Sequence, residues 1–413
     1  MARSFEVPEF YRSPIVSAVK MARRISDPRK RDLSPSVLNF GSMRIKLARH
    51  FGFCYGVENA IEIAYRSLAE NPDRRVFLLS EMIHNPHVND DLRSRGIDFL
   101  RSTTGEQLIP FDALEPGDVV IIPAFGATLE IKEELRIRGV DVDAYDTTCP
   151  FVEKVWKRSA QIGKTDHTVI LHGKRNHEET QATFSHAKET APVLVIRDLE
   201  EAGQLAAFIS QKAPLSGFFE VFPERFSQGF DPARDLTRIG VVNQTTMLAT
   251  ETQEIAALLR DAMIRRYGPD SISDHFADTS DTLCYATNEN QDATKALIED
   301  GADLAIVVGG FNSSNTSHLV ELCEERMPTY FVDGPDALES PALVRHFDYP
   351  AKEHRISRDW FPSSAPVDII LTAGASCPDV LIDSVIRRLT SWRPDACSPE
   401  AALTPFLEAH PTN

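Results

Sequence analysis

The chain lacks the features that mark several large classes of protein. It has only six cysteines in 413 residues and no Cys-x-x-Cys pair. This argues against a disulfide-stapled secreted scaffold, a zinc ribbon and a contiguous ferredoxin-type cluster motif. No apolar run approaches the roughly 18 residues that a membrane-spanning helix needs. We therefore expect a soluble, cytoplasmic protein with reduced thiols and no membrane partner.

An excess of positive charge is also missing. The 44 Lys and Arg residues are outnumbered by 61 Asp and Glu residues, which gives a net charge of −17. Because so acidic a protein repels a polyanion, we expect no nucleic acid partner. Hydrophobic residues make up 42% of the chain and charged residues 25%, which is ordinary globular usage. At roughly 100–200 residues per domain, the length predicts two to four domains.

Both ends of the chain differ from its middle. Residues 1–43 are rich in Arg and Lys and contain four prolines, and four more prolines follow Trp392. The N-terminal segment has no apolar stretch of a signal peptide, and its acidic residues argue against an organelle transit peptide. We expect a loosely ordered N-terminal extension over residues 1–43 that wraps the main body, and a similar C-terminal tail over residues 391–413.

Between the ends, strand-like and helix-like segments alternate, which is typical of an α/β fold with largely parallel sheets. Short apolar or β-branched runs predict these strands: Val76–Leu79, Val119–Ile122, Val169–Leu171, Val193–Ile196, Ile239–Val242, Leu304–Val308 and Asp368–Leu371.

Three of these strands run into small polar residues. The segments that follow them are 243–246, 312–315 and 372–376. In open parallel sheets, ligands bind at the carboxyl ends of the strands, where helix N-termini present free N–H groups. The three segments together suggest one shared anionic ligand. Ser, Thr and Asn are also good N-caps, and for any single segment that simpler interpretation is favoured.

Three cysteines, Cys54, Cys149 and Cys284, each precede apolar residues at helical spacing. A helix N-terminus favours the thiolate, which is the form that binds metal. One cysteine opening each of three similar units fits their positions, but an isolated cysteine is more often a small buried hydrophobe. Both interpretations stay open on spacing alone. Cys323 lies on an apolar helical face and is expected in the core, while Cys397 carries no signal.

At these residues the sequence resembles the LytB/IspH family of 4-hydroxy-3-methylbut-2-enyl diphosphate reductases. The resemblance covers about residues 44–390 and rests on motifs in the family's order: GFCYGV, EMIHN, DTTCP, HEETQAT, NQTTM, LCYATNENQ, GGFNSSNTSHL and TAGASCPD. The N-terminal extension and the inserts near Leu215–Leu236 and Tyr349–Ala365 are similar to the longer cyanobacterial and plant-plastid type. The bacterial cytoplasm is the expected location, with the plastid stroma as the less favoured alternative.

The resemblance implies a cloverleaf of three similar α/β domains, over residues 44–148, 149–283 and 284–390, around a central [4Fe-4S] cluster. Cys54, Cys149 and Cys284 would be its ligands, which leaves one iron open to substrate, as in other catalytic metal sites. The implied reaction is the reductive dehydroxylation of the family's allylic diphosphate to isopentenyl diphosphate and dimethylallyl diphosphate. A ferredoxin or flavodoxin system would supply the electrons.

Motif matches also imply the residues of the site. Those that would bind the diphosphate are His84, His177, Ser313, Ser314, Asn315 and Ser376. Glu179 matches the family carboxylate that supplies a proton, and Thr245 would hold the substrate hydroxyl and pass the proton on. The alternatives are that both histidines are ordinary core or surface residues, and that Glu179 is a solvated carboxylate beside Glu178.

The sequence departs from the family pattern at two positions. Phe125 stands where many members have a histidine, and a phenyl ring cannot donate a hydrogen bond to phosphate. We expect Lys174 to restore part of the lost charge. Cys377 stands beside Ser376, where the family usually has no thiol. We expect that Cys377 is not a fourth ligand, because a fourth thiolate would close the reactive iron.

Two rival classes of function stay in view. An α/β phosphotransferase or hydrolase would bind phosphate with the polar loops and leave the cysteines inert, although the chain lacks the Gly-x-x-x-x-Gly-Lys-Ser/Thr loop of common nucleotide-binding enzymes. A non-catalytic iron–sulfur carrier would pass electrons without a substrate pocket.

Overall fold

The computed structural model describes residues 5–277, 282 and 284–410, which fall into two compact units. The first unit comprises Met1–Glu58, His84–Asp90 and Tyr285–Asn413, and the second comprises Asn59–Ile83 and Asp91–Cys284. Each unit contains parallel strands that are joined through helices, so the expected α/β class is confirmed. The three-domain boundaries drawn from the resemblance stay a prediction.

In the described part of the chain, the helices α1–α15 are, in order, Pro14–Ser26, Tyr55–Glu70, Pro86–Ser94, Leu129–Ile137, Pro150–Gly163, Glu178–Ala187, Leu199–Ile209, Phe218–Val221, Pro232–Asp235, Ala249–Tyr267, Ile272–His275, Tyr285–Asp300, Ser314–Glu324, Asp379–Thr390 and Pro399–Ala409. Short 3-10 turns occupy Glu9–Tyr11, Phe111–Ala113, Leu215–Gly217 and Pro335–Ala337. Within the described ranges, no helix combines the length and the apolar composition that crossing a bilayer requires.

The strands β1–β15 of the described residues are, in order, Ser36–Asn39, Met43–Leu47, Val76–Leu78, Ile97–Phe99, Val119–Ile121, Thr168–His172, Val193–Ile196, Ile239–Asn243, Phe276–Ala277, Leu304–Val308, Thr329–Val332, Leu338–Ser340, Leu343–Asp348, Glu353–Arg358 and Val367–Ala373.

The first unit is built on a five-stranded sheet of order β1-β2-β15-β10-β11. Strands β2, β15, β10 and β11 are parallel, and β1 is an antiparallel edge strand. Every residue of β10 is buried, which explains its unbroken apolar run, since a central parallel strand is covered on both faces. A small antiparallel sheet, β12-β13-β14, belongs to the same unit.

The second unit contains two sheets. A three-stranded parallel sheet has the order β4-β3-β5, and a four-stranded parallel sheet has the order β7-β6-β8-β9. Strands β6 and β8 are buried along their whole length. Their carboxyl ends carry the segments that hold His177, Glu179 and Thr245.

All seven predicted strands are present, as β3, β5, β6, β7, β8, β10 and β15, with ends displaced by no more than two residues. Strand β2 was not predicted, because Arg44 and Lys46 interrupt its apolar residues. The two cations are accommodated by acidic partners: Lys46 Nζ lies 3.3 Å from a carboxylate oxygen of Asp368, and the Arg44 Nε lies 2.6 Å from the other oxygen.

The expectation that the chain ends are loosely ordered is wrong for most of their length. Ser13 caps α1 by accepting a hydrogen bond from the Val16 amide, at 3.2 Å, and α1 buries an apolar face in the first unit. Strand β1 pairs with β2. At the other end α15 buries Phe406. Pro14 and Pro399 occupy first turns, where proline starts a helix instead of breaking it.

Candidate active site

Five predicted diphosphate-binding residues belong to the first unit. Ser313, Ser314, Asn315 and Ser376 lie in the loops that follow the neighbouring strands β10 and β15, and His84 lies just before α3. The Asn315 Oδ1 accepts a hydrogen bond from the Ala375 amide at 2.8 Å, which ties the two loops together. The Ser376 hydroxyl donates to the His84 carbonyl at 3.1 Å, which brings in the histidine loop. Ser313 and Ser314 lie beside Asn315 in the chain. The structure therefore brings these five residues close together, and their role in binding a diphosphate stays a prediction.

The start of helix α13 is suited to an anion. The Ser313 hydroxyl caps the helix by accepting from the Thr316 amide, at 3.3 Å. No acidic residue occupies the first turn. The positive end of the helix dipole therefore faces no competing carboxylate from this turn.

Two glycines let the backbones of this region approach closely. A Cβ atom on Gly310 would overlap the His84 carbonyl group, and one on Gly374 would overlap the Thr316 side chain. Both overlaps involve buried partners that have little room to move. The glycines of the GGF and TAG motifs thus serve the packing of the loops around His84.

Three buried polar atoms in this region have no hydrogen-bond partner among the described residues: Asn315 Nδ2, Thr316 Oγ1 and Thr372 Oγ1. Leaving a buried donor unsatisfied costs about 1–3 kcal/mol. Such groups are rare in folded proteins and are typical of sites that receive a ligand. Donors without partners next to the start of α13 favour an anionic ligand that accepts hydrogen bonds.

The second unit holds a buried carboxyl group at the start of α6. Glu179 is only 1% exposed, and its carboxylate accepts from the Thr245 amide at 2.5 Å and from the Thr245 hydroxyl at 3.0 Å. Burial raises the pKa of Glu179 to about 7, against the lowering effect of these two hydrogen bonds. The solvated alternative for Glu179 is therefore wrong, and the carboxyl group is suited to general acid chemistry near neutral pH.

Glu178 lies beside it with different surroundings. Its carboxyl group is buried near Ser80, Glu81 and Arg101, and burial raises the pKa of Glu178 to about 8. Glu81 raises this pKa further, while Ser80 and Arg101 lower it. The first turn of α6 therefore carries two carboxyl groups whose protonated forms persist near neutral pH.

His177 is the N-cap of α6, and its Nδ1 accepts a hydrogen bond from the Glu179 amide at 3.2 Å. In the neutral ring the proton must then be on Nε2, which makes that atom a donor. The Phe125 ring packs edge-to-face against the His177 ring, with 5.5 Å between centroids and an angle of 84°. Phe125 therefore gives one side of the His177 ring an aromatic neighbour.

Gln244 joins the loops after β6 and β8. Its side-chain oxygen accepts from the Thr180 hydroxyl at 3.0 Å and from the Lys174 amide at 3.1 Å. A Cβ on Gly173 would meet the Thr180 hydroxyl at 2.7 Å, so this close approach requires glycine. The half-buried Lys174 is thus fixed through its backbone, and the role expected of its side chain stays a prediction.

Each of the three candidate cysteines opens a helix, as predicted. Cys54 precedes α2 and its amide donates to the Ala375 carbonyl at 3.2 Å. Cys149 is the N-cap of α5 and its amide donates to the Ala124 carbonyl at 3.0 Å. Cys284 directly precedes α12 and is buried. None of the three takes part in a disulfide bond.

Among the residues that the structure describes, no three His, Cys, Asp or Glu side chains are grouped to hold one metal ion. This finding concerns ligands that share a single ion. In an iron–sulfur cubane each cysteine binds a different iron, so its ligands do not need to converge on one atom. The ligand role of the three cysteines stays a prediction.

The remaining buried cysteines behave as core residues. Cys323 is fully buried on α13, and burial raises the pKa of its thiol to about 12. Cys377 is fully buried in the same core, where burial strongly raises the pKa of the thiol. A site that disfavours the thiolate is a poor metal ligand, which supports the expectation that Cys377 is not one.

Sequence reasoning did not single out several residues that build these sites. Asn290 donates to Asn315 at 3.5 Å, and the Thr282 hydroxyl donates to the Asn243 side chain at 2.6 Å. Thr316 supplies an unsatisfied hydroxyl. Each lies within or directly beside a quoted motif. The signal that could have found them was therefore a polar residue inside a motif, next to apolar residues that are expected to be buried.

Comparison with known proteins agrees with this arrangement. The LytB protein family matches residues 45–390. The chain is 40% identical over 355 residues to the 4-hydroxy-3-methylbut-2-enyl diphosphate reductase of Thermosynechococcus vestitus, covering 86% of each chain. It is 42% identical over 353 residues to the enzyme of the same name from a Synechococcus strain, covering 85% of this chain and 86% of the relative.

Two solved structures are also similar. One is a (E)-4-hydroxy-3-methyl-but-2-enyl diphosphate reductase described as the terminal enzyme of the non-mevalonate pathway, with a TM-score of 0.51, 26% identity, and coverage of 84% of this chain and 99% of that chain. The other is the corresponding reductase from Plasmodium falciparum, with a TM-score of 0.60, 20% identity, and coverage of 90% and 99%. The second likeness concerns the fold.

Proposed function

The chain belongs to the LytB family, and on that premise we propose that it reduces (E)-4-hydroxy-3-methylbut-2-enyl diphosphate to isopentenyl diphosphate and dimethylallyl diphosphate. The substrate gains two electrons and two protons, its C–O bond breaks, a C–H bond forms, and water leaves. Formation of the C–H bond at either of two carbons accounts for the two products. A one-electron carrier of the ferredoxin or flavodoxin class supplies each electron.

The observation that carries the proposal is the buried Glu179, held by Thr245 and with a pKa of about 7. Loss of a hydroxyl group as water requires a proton at the leaving oxygen. At pH 7 roughly half of the Glu179 carboxyl groups are protonated, so the group can both give and regain a proton. The Thr245 hydroxyl, which contacts Glu179, passes this proton to the substrate hydroxyl.

The diphosphate binds to the donors that end the strands of the first unit and to His177. The donors from the first unit are His84, Ser313, Ser314, Asn315 and Ser376. The Asn315 Nδ2 supports this role, because it has no acceptor among the described residues, and the positive end of the α13 dipole favours an anion. The Nε2 proton of His177 adds one more donor.

The donor set fits an iron–sulfur cluster. Cys54, Cys149 and Cys284 lie outside any disulfide and at helix starts, where the thiolate is favoured. A [4Fe-4S] cluster held by these three cysteines would relay the electrons and offer an open iron as a Lewis acid for the substrate hydroxyl.

The test is anaerobic purification with iron and sulfide counting, followed by turnover of the allylic diphosphate with a chemical reductant. We expect four irons and four sulfides per chain, and formation of both products. Single Cys→Ser variants at positions 54, 149 and 284 should each lose the cluster. A colourless protein that hydrolyses or transfers phosphate would contradict the proposal, and so would a cluster whose magnetic spectrum ignores the substrate.

A further inference from the structure

A groove of about 320 Å³ in the first unit passes over Cys54. Its walls are α1, the loop after β2 and the first turn of α12. Lys20 and Arg24 of α1 line one side, and Tyr285 and Glu289 of α12 line the other. The N-terminal extension therefore forms part of the wall around one of the proposed cluster ligands.

This part of the molecule is basic, although the protein is acidic. The first 50 residues carry 11 Lys and Arg residues against four Asp and Glu residues, while the whole chain has a net charge of −17. Two carboxylates line the groove, and both form ion pairs with cations of the same unit. Glu289 lies 2.8 Å from Lys30, and Asp27 lies 3.8 Å from Arg49.

Other cations of this region are available to a partner. Arg24, Arg29 and Arg31 are exposed, and none of them forms an ion pair with the residues that the structure describes. Arg24 lines the groove, while Arg29 and Arg31 flank Lys30 in the chain just beyond α1. Charges placed in this way attract an acidic surface and orient it before contact.

The same helix face also exposes apolar side chains. Met21 is 62% exposed and Ile25 is 43% exposed, one turn apart and next to Arg24. Apolar groups surrounded by cations are suited to a brief protein contact. Electron-transfer complexes are typically small, with less than about 1,200 Å² of buried surface.

We propose that this groove is the docking surface for an acidic one-electron carrier protein. The inference rests on the proposed function, in which Cys54 binds the cluster. Each docking event transfers one electron from the reduced carrier, which leaves oxidised, so two events supply the two electrons of one turnover. A nucleic acid or an anionic membrane would also seek cations, but the charge of the remaining chain opposes so extended a polyanion.

The test uses the full-length holoenzyme and a purified acidic plant-type [2Fe-2S] ferredoxin. The variant is Arg24→Glu/Arg29→Glu, and the matched control is Lys352→Glu/Arg358→Glu on exposed residues of the β13–β14 hairpin. Ferredoxin binding is measured by titration calorimetry with the cluster-loaded and with the cluster-free protein. Turnover is measured with ferredoxin and, separately, with a small viologen reductant.

For the groove variant we expect a Kd and a KM for ferredoxin that are raised about tenfold at low ionic strength, with the difference fading at high salt. The control variant and viologen-driven turnover should be unchanged. Wild-type ferredoxin affinity in the groove variant would overturn the proposal. Groove-dependent binding of anionic vesicles or DNA in place of ferredoxin would also overturn it. Failure of viologen-driven turnover in the wild type would contradict the proposed function, and the calorimetry would still decide on the docking surface.

Discussion

The two candidate sites differ in their hydrogen-bonding and electrostatic character. At the strand ends of the first unit, donors are left without acceptors, as at Asn315 Nδ2, and the start of α13 has no acidic residue in its first turn. At the start of α6 in the second unit, two carboxyl groups are buried, and Glu179 is supplied with two hydrogen bonds from Thr245. The first region offers donors that suit an anion, and the second holds a carboxyl group whose protonated form persists near neutral pH.

The difference teaches that binding and chemistry are separable in this chain. Unsatisfied donors gain free energy when a diphosphate arrives, so they should govern affinity. Glu179, with a pKa of about 7, is instead suited to proton transfer, so it should govern the rate of the chemical step. Variants at the two regions should therefore fail in different ways.

The largest effect is expected for Glu179→Gln. The amide retains an acceptor for the Thr245 amide but cannot supply a proton, so kcat should fall by about 10²–10⁴-fold. Single-turnover kinetics with a chemical reductant measures this loss. Substrate affinity by calorimetry should stay within about threefold of wild type, and a parallel collapse of affinity would remove the distinction between the two regions.

The converse variant is Asn315→Asp. The carboxylate keeps an oxygen for the Ala375 amide and replaces the Nδ2 donor with negative charge. Loss of a hydrogen bond to a charged group corresponds to about 1.5–3 kcal/mol, so the Kd for the diphosphate should rise by about 10–150-fold. Asn290→Ala, one contact further out, is the control and should change the affinity much less. Unchanged affinity in Asn315→Asp would place the diphosphate elsewhere.

The pH dependence tests which carboxyl group is the acid. A group that must be protonated loses activity as pH rises through its pKa, so kcat should fall above about pH 7 and by about tenfold for each further pH unit. The profile of Glu178→Gln should retain this limb. If the limb disappears in Glu178→Gln, Glu178 with its pKa of about 8 is the proton source.

The smallest effect on activity is expected for Cys377→Ala. The thiol is fully buried in the core of the first unit and is disfavoured as a thiolate, so iron content and turnover should be unchanged. Thermal unfolding should show a loss of about 1–2 kcal/mol for the small cavity. Loss of iron would show that the thiol binds the cluster after all.

Much of the fold could be predicted because buried parallel strands form unbroken apolar runs, as at Leu304–Val308. Strand β2 was not predicted because its cations are paired with acidic residues more than 250 positions later in the chain, such as Asp300. Strand β14 was not predicted because it is largely exposed and Ile356 is its one apolar residue. The prolines of residues 1–43 were misjudged because Pro14 opens a helix.

The motifs predicted the residues of the site but not their partners. The contact between Ser376 and the His84 carbonyl joins positions 292 residues apart, and no local pattern contains such information. The tautomer of His177 depends on a local contact, the helix cap with the Glu179 amide, and it could be assigned only once the first residue of α6 was known. The three cysteines could be placed at helix starts from spacing, while their ligand role still depends on the family.

The pairing of β1 with β2 has a practical consequence for anyone who shortens this protein. A chain that begins at Met43 would leave the backbone groups of β2 without their neighbour and would uncover the apolar residues beneath α1. An exposed edge strand can pair with strands of other chains, so the shortened protein should associate and precipitate more readily. Expression trials that trim the N-terminal residues as a dispensable leader should keep Ser13 and everything after it.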